Sequence, residues 1–191
     1  MNFLAKDASI DKHQGNLPHW RQGFVCYFVT FRTADSIPQI KLDQWLLERD
    51  QWLEKNPEPR SDEQIDEYHK LFSNRMERWL DSGYGECMLA NPSTKDIMIQ
   101  SLAYFQDQRY HIWEYAVAAN HVHLLIEPIK DNELSDIMRS IKSYTAKEIN
   151  KQSGRKGQFW QKEYFDHIVR SEEQYMHIVQ YIRNHNLRGL S

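Results

Sequence analysis

Two histidines separated by one residue stand inside an apolar segment, "NHVHLLIEP", residues 120–128. Side chains alternate between the two faces of a β-strand, so His121 and His123 are expected to point the same way, about 6–7 Å apart. Neutral imidazole is the commonest protein ligand of metal ions. The pair therefore predicts either part of a metal site or two histidines with satisfied hydrogen bonds, and the pair alone leaves both interpretations open.

A second group of reactive side chains lies in the C-terminal segment "SEEQYMHIVQYIRNHNLRG". Its apolar stripe has the i, i+3, i+4, i+7 spacing of an amphipathic helix and consists of Tyr175, Ile178, Val179 and Ile182. Beside this stripe, His177, Tyr181 and His185 recur every four residues and share one helix face.

Tyr181 is a candidate nucleophile of this row. A phenol with a pKa near 10 is a weak nucleophile at neutral pH, but it can attack a phosphate that a metal ion polarises. Such an attack leaves the phosphate on the tyrosine, frees a 3′-hydroxyl and conserves the bond energy for rejoining. The alternative is an aromatic side chain that packs on a sheet.

The elements that would position these residues are read from apolar periodicity. Strands are predicted at residues 24–33, 110–119, 121–128 and 164–170, with a further short strand at "GECML". Helices are predicted at residues 93–108, 133–152 and 171–185, and at 40–55 and 61–82. Capping pairs Ser61/Gln64, Ser93/Asp96 and Ser171/Gln174 mark three helix starts.

This order predicts an α+β fold in which helices cover one face of an antiparallel sheet. The chain of 191 residues is expected to form a single domain, residues 1–191, with a helical insertion at about 40–82. The two cysteines form neither a disulfide framework nor a paired zinc motif. Because we see neither a signal peptide nor a long apolar run, we expect a cytoplasmic protein without a membrane span.

Charge is distributed unevenly, although the net charge is only −3. Residues 43–67 carry nine acidic and three basic side chains, whereas residues 139–162 carry seven basic and one acidic. The basic stretch is typical of a surface that faces phosphates, or of an ordinary solvated helix face.

Together these motifs resemble a known family. "ANHVHLLIEP" resembles the HUH motif (histidine, bulky hydrophobe, histidine) of single-tyrosine transposases. "GQFWQKEYFDHIVRSEEQYMHIVQYIRNHNLRG" resembles the end of REP-associated tyrosine transposases (RAYTs), relatives of IS200-like transposases. The resemblance covers most of residues 20–190 outside the helical insertion, and it implies the ferredoxin-like (RRM-like) palm of HUH enzymes.

The resemblance also implies roles for particular residues. His121 and His123 would be metal ligands, the metal would be Mg²⁺ or Mn²⁺, and Tyr181 would form a 5′-phosphotyrosine link to single-stranded DNA. The family's third ligand is an amide residue one turn after the tyrosine, where this chain has His185. Histidine is a softer ligand than an amide oxygen and favours Mn²⁺ or Zn²⁺ over Mg²⁺, so this departure bears on metal identity and activity.

The resemblance implies DNA as the partner, in the form of hairpins from palindromic repeats with an adjacent single strand. Trp160 would stack on an unpaired base or pack in the core. Members are expected to act in the cytoplasm on the nucleoid, RAYTs as monomers, although insertion-sequence relatives dimerise. The candidate phosphate contacts are Arg139, Lys142, Lys147, Lys151, Arg155, Lys156 and Arg188.

Three alternatives remain at this point. Tyr144, in the basic segment "KSYTAKE", is a rival nucleophile to Tyr181. The fold could be retained in a DNA-hairpin binder that His185 has made catalytically inactive. Finally, His121, His123 and His185 could activate water in a hydrolytic metal enzyme, which would not need the tyrosine.

Overall fold

The computed structural model describes residue 3, residues 11–14 and 18–21, and residues 25–188. Side chains of residues 11–14, 18–21, 62, 187 and 188 lie outside this description. The chain divides into two compact units: Met1–Ala34 with Met88–Ser191, and Asp35–Cys87. The second unit contains the predicted helical segment 40–82, and the single-domain interpretation stays a prediction.

The larger unit contains both strands and helices, whereas the described elements of the smaller unit are all helical. The strands are β1 (Asp11–Gln14), β2 (Pro18–Arg21), β3 (Tyr27–Arg32), β4 (Tyr110–Val117), β5 (His121–Pro128) and β6 (Phe165–Ile168). The α-helices are α1 (Gln39–Lys55), α2 (Asp62–Tyr68), α3 (Asn74–Asp81), α4 (Pro92–Tyr104), α5 (Leu134–Ser153) and α6 (Glu172–Arg188). No described helix is both long enough and apolar enough to cross a membrane.

The main sheet has four strands in the order β4-β5-β3-β6, and each neighbouring pair is antiparallel. In chain order its elements run β3-α4-β4-β5-α5-β6, the β-α-β-β-α-β order of ferredoxin-like folds. Strands β1 and β2 form a separate two-stranded sheet. The predicted α+β class, with an antiparallel sheet and helices, is confirmed.

The two faces of the main sheet carry different helices. Val122 and Leu124 lie in one apolar cluster with Met98 of α4 and Ile137 of α5. Leu125 points to the other face, where it packs with residues of α6 such as Ile182. Helices therefore lie on both faces of the sheet rather than on one, since α6 folds back onto the face opposite α4 and α5.

The segment "GECML" is not a strand. Gly85 and Cys87 have positive φ angles of 87° and 49°, which breaks an extended path, and Met88–Ala90 form a 3-10 turn. A Cβ at position 85 would lie 2.7 Å from Asp35, so this close approach requires glycine.

The predicted helix starts hold at two of three places. Ser61 and Gln64 form the expected capping box. Ser171 Oγ accepts a hydrogen bond from the backbone N–H of Gln174 at 3.2 Å. At α4 the cap is Asn91 instead of Ser93, because Pro92 occupies the first helical turn and Asn91 accepts from the Ser93 amide.

The Asp35–Cys87 unit has its own small core. Between α2 and α3 the chain forms a π-helical segment, His69–Ser73, which places Phe72 inward. Trp45 of α1 is 2% exposed and donates from its indole nitrogen to the Phe72 carbonyl oxygen at 3.2 Å. Met76 and Leu80 of α3 are also buried.

Candidate active site

Strand β5 holds the histidine pair in the interior. His121 is 2% exposed and His123 is 1% exposed. In the antiparallel register with β3, His121 lies opposite Arg32 and His123 lies opposite Thr30. Because side chains alternate along β5, both imidazoles share the face of Leu125, which is the face that α6 covers.

Helix α6 brings His185 and Tyr181 to this face. Buried Ile182 anchors the helix on the sheet. Near its end, Arg183 Nε pairs with Glu114 Oε2 at 2.8 Å and Asn186 Nδ2 donates to the Tyr115 carbonyl oxygen at 2.9 Å. These contacts fix the axial position of the helix relative to β4.

The three histidines form one cluster. One ligand nitrogen from each of His121, His123 and His185 lies within 4.8 Å of the others. The ring centroids are 4.7 Å apart for His121 and His123, 4.7 Å for His123 and His185, and 5.6 Å for His121 and His185. The structure thus brings together the three residues predicted as metal ligands.

The hydrogen bonds of the cluster define which nitrogens face its centre. His121 Nδ1 lies 2.8 Å from Asn120 Oδ1, an acceptor, so Nδ1 carries the proton and Nε2 a lone pair. His123 Nδ1 lies 2.8 Å from the Thr30 hydroxyl oxygen. Among the described residues, Nε2 of His121 is buried and has no hydrogen-bond partner.

Burial also keeps the rings of His121 and His123 neutral. Desolvation, with a smaller contribution from His185, lowers the pKa of His121 to about 3. Desolvation lowers the pKa of His123 well below its usual value, with smaller contributions from His121 and His185. Neutral imidazole is the form that binds metal.

The residues present fit a divalent metal ion. A buried lone pair without a partner costs free energy unless something binds it, and three converging imidazoles are a donor set that suits borderline divalent ions such as Zn²⁺. An all-histidine set is softer than the oxygen ligands that Mg²⁺ prefers.

Tyr181 lies against the histidine cluster. Its hydroxyl oxygen is 3.3 Å from His123 Nε2, and its ring centroid is 5.1 Å from that of His123 and 4.8 Å from that of His185. His177, one turn earlier on α6, is exposed and is not part of the three-histidine cluster.

Tyr144 is placed elsewhere. It is 54% exposed on α5, and α5 packs against the opposite face of the sheet through Ile137, Met138 and Ile141. The sheet therefore separates this rival tyrosine from the histidine cluster.

The predicted phosphate contacts also lie mainly on and after α5. Most of them are exposed: Arg139, Lys147, Lys151 and Lys156. Arg139 pairs with Asp136, and Arg155 is half-buried. Lys142 donates to the Lys162 carbonyl oxygen at 2.7 Å, and burial lowers its pKa to about 8. These cations do not converge with the histidines, and the Arg188 side chain lies outside the described residues.

Trp160 is a core residue in this structure. Its side chain is 4% exposed, packs against Phe31 with ring centroids 4.7 Å apart, and donates to Thr145 Oγ1 at 2.9 Å. Trp160 therefore packs in the core and is not placed to stack on an unpaired base. Its ring and its nitrogen both have protein partners, so the indole has no free face to offer a base.

Sequence reasoning missed three neighbours of the cluster: Thr30, Asn120 and Arg32. Arg32 is 5% exposed beside His121, and burial lowers its pKa to about 10, so it is still charged at neutral pH. Asn120 could have been identified from the sequence, because it directly precedes His121. Thr30 and Arg32 could not, because their pairing with the histidines depends on the register between β3 and β5.

Residues 90–185, just over half of the chain, match the family described as "Transposase IS200 like". This range includes His121, His123, Tyr181 and His185. No curated protein matches the chain.

Two similar solved structures share less than 20% sequence identity with this chain. A REP-associated tyrosine transposase bound to a REP hairpin shares 16% identity with a TM-score of 0.46, covering 90% of this chain and 74% of that one. A protein of Deinococcus radiodurans R1, provisionally described as a transposase, shares 19% identity with a TM-score of 0.39, covering 86% of this chain and 93% of that one. The family match over residues 90–185 spans the whole histidine and tyrosine cluster. The chain belongs to the IS200-like transposases.

Proposed function

We propose that this protein is a metal-dependent single-tyrosine transposase that nicks and rejoins single-stranded DNA beside palindromic hairpins. The observation that carries the proposal is the Tyr181 hydroxyl, 3.3 Å from Nε2 of His123 at the edge of a three-histidine cluster. Its place of action would be nucleoid DNA in the cytoplasm.

In this proposal His121, His123 and His185 would hold a divalent ion, Mn²⁺ or Mg²⁺. When bound, the ion polarises the scissile phosphate and stabilises the charge that develops on its oxygens.

Tyr181 is the nucleophile of the proposed reaction. Its oxygen forms a bond to phosphorus while the bond from phosphorus to the 3′ oxygen breaks. The phenol loses its proton, the departing 3′ oxygen gains one, and the 5′ side of the DNA stays attached as a phosphotyrosine. Attack by a 3′-hydroxyl on this ester reverses the step and rejoins the strand.

Rigid placement of the nucleophile supports this role. Phe28 contacts the Tyr181 ring edge-on with centroids 5.9 Å apart, and it stacks on His123 with centroids 5.6 Å apart. A nucleophile that is already oriented loses little entropy when it reacts. Tyr181 lies against histidines of its own chain, so the proposed site needs no residue of a second subunit.

The basic surface of α5 is the proposed contact for the hairpin. Lys147 and Lys151 are exposed one turn apart, and cations of this kind bind the phosphate backbone without reading sequence. Because α5 lies on the sheet face opposite the histidines, we propose that hairpin binding and strand cleavage use separate surfaces.

Covalent capture tests the proposal. Labelled single-stranded DNA with a hairpin is incubated with the protein and Mn²⁺, and products are separated under denaturing conditions. A protein–DNA band that Tyr181→Phe abolishes supports the transposase. Hairpin binding without any band would support the inactive binder, and cleavage that persists in Tyr181→Phe would support a hydrolytic enzyme.

A further inference from the structure

We infer that Thr30 and Asn120 are positioning residues that orient the histidines of the metal site. The inference rests on the proposed function, since it concerns how His121 and His123 present their Nε2 atoms to a metal ion. Neither residue touches the proposed substrate; each acts through one imidazole.

Asn120 is built to orient His121. It is 1% exposed, and its backbone carbonyl oxygen accepts from the Thr33 amide at 2.8 Å, which holds the residue against the end of β3. Its Oδ1 atom accepts from His121 Nδ1 at 2.8 Å. This bond selects the tautomer whose Nε2 lone pair faces the cluster.

Thr30 has the same relation to His123 from the neighbouring strand. The two residues are directly paired across β3 and β5, Thr30 is 8% exposed, and its hydroxyl oxygen lies 2.8 Å from His123 Nδ1. When the hydroxyl accepts from Nδ1–H, Nε2 is the metal-binding nitrogen. Phe28, stacked on the imidazole with an interplanar angle of 14°, fixes the remaining rotation of the ring.

The two hydrogen bonds therefore act together, one on each histidine of β5. A histidine bound to metal through one ring nitrogen usually donates its other N–H to an oxygen, and removal of that oxygen typically costs about 10- to 100-fold in metal affinity. Here both oxygens come from buried residues, so water is poorly placed to replace them.

The experiment measures Mn²⁺ affinity of the full chain by calorimetry, without DNA. Thr30→Val preserves shape and removes the hydroxyl, so affinity should fall about 10- to 100-fold, while Thr30→Ser should bind nearly as the wild type does. Asn120→Ala should weaken binding likewise, and Asn120→Asp, which keeps an acceptor oxygen, should retain it.

Thr94→Val is the matched control. It is the same substitution at a buried threonine of α4, a helix that packs on the sheet face away from the histidines, and it should leave Mn²⁺ affinity unchanged. Thermal unfolding without metal shows that each variant is folded. If the removal of these oxygens alters only thermal stability, Thr30 and Asn120 are merely structural and the inference is overturned.

Failure of this inference is distinguishable from failure of the proposed function. Unchanged affinity in folded Thr30→Val and Asn120→Ala, with covalent capture intact, would overturn the positioning role alone. Absence of Mn²⁺ binding in the wild type would overturn both the positioning role and the metal dependence.

Discussion

The Tyr181 hydroxyl lies 3.3 Å from Nε2 of His123, a residue 58 positions away in the chain. Nδ1 of the same ring is 2.8 Å from the Thr30 hydroxyl, so Nε2 is the nitrogen available to a metal ion. The nucleophile and the proposed metal therefore meet at one atom, which couples the position of the tyrosine to metal binding.

This relationship predicts the effect of Tyr181→Phe on metal affinity. The substitution removes a hydroxyl that competes for His123 Nε2, and one hydrogen bond is worth about 0.5–1.5 kcal/mol. Mn²⁺ should therefore bind the variant about 2- to 10-fold more tightly in calorimetry without DNA. Weaker binding by folded Tyr181→Phe would instead make the phenol a metal ligand and contradict the competition.

His185 should set the metal preference. His185→Gln replaces an imidazole nitrogen by an amide oxygen, a harder donor. We expect the ratio of Zn²⁺ affinity to Mg²⁺ affinity to fall by about tenfold or more, an estimate from the softness of the ligand atoms. Titration of both ions into wild type and variant measures this ratio, and an unchanged ratio would exclude His185 from the metal site.

Lys147 and Lys151 should contribute to hairpin affinity without affecting the metal site. Each phosphate contact adds about 0.9 to the slope of log affinity against log salt concentration. Lys147→Gln and Lys151→Gln should each lower the slope by up to this amount and leave Mn²⁺ affinity unchanged. Lys70→Gln, an exposed lysine of the helical unit, is the matched control and should change neither quantity.

Lys142 should make stability depend on pH above neutrality. Burial lowers its pKa from 10.5 to about 8 in the folded protein. Between these values the unfolded chain binds more protons, so the free energy of unfolding should rise with pH across this window. Lys142→Gln should remove that rise, measured by urea unfolding between pH 7 and pH 10. An equal rise in the variant would show that Lys142 is not its source.

The sequence was sufficient for the parts of the site that depend on local periodicity. Alternation along residues 121–128 placed both histidines on one face of a strand. Helical spacing placed Tyr181 and His185 on one face of the C-terminal helix. These short-range patterns also predicted the α+β class. The meeting of the two faces came only from the resemblance, because no periodicity states which sheet face a terminal helix covers.

Other features depend on interactions that local patterns do not encode. Thr30 acquires its role through the register between β3 and β5, and register is a tertiary property. The predicted strand at "GECML" was wrong because Cys87 adopts a positive φ, which its residue type does not signal. Trp160 follows a polar loop and was compatible with stacking on DNA, but Thr145 and Phe31 hold it in the core.

Peptide mass mapping determines whether Tyr181 becomes covalently attached to DNA. The wild-type protein is reacted with hairpin-containing single-stranded DNA and Mn²⁺, treated with nuclease and protease, and analysed by mass spectrometry, with Tyr144→Phe as the matched control. We expect a 5′-phosphonucleotide on the peptide that contains Tyr181, formed equally in Tyr144→Phe. An adduct on Tyr144, or cleaved DNA with no tyrosine adduct, would contradict it.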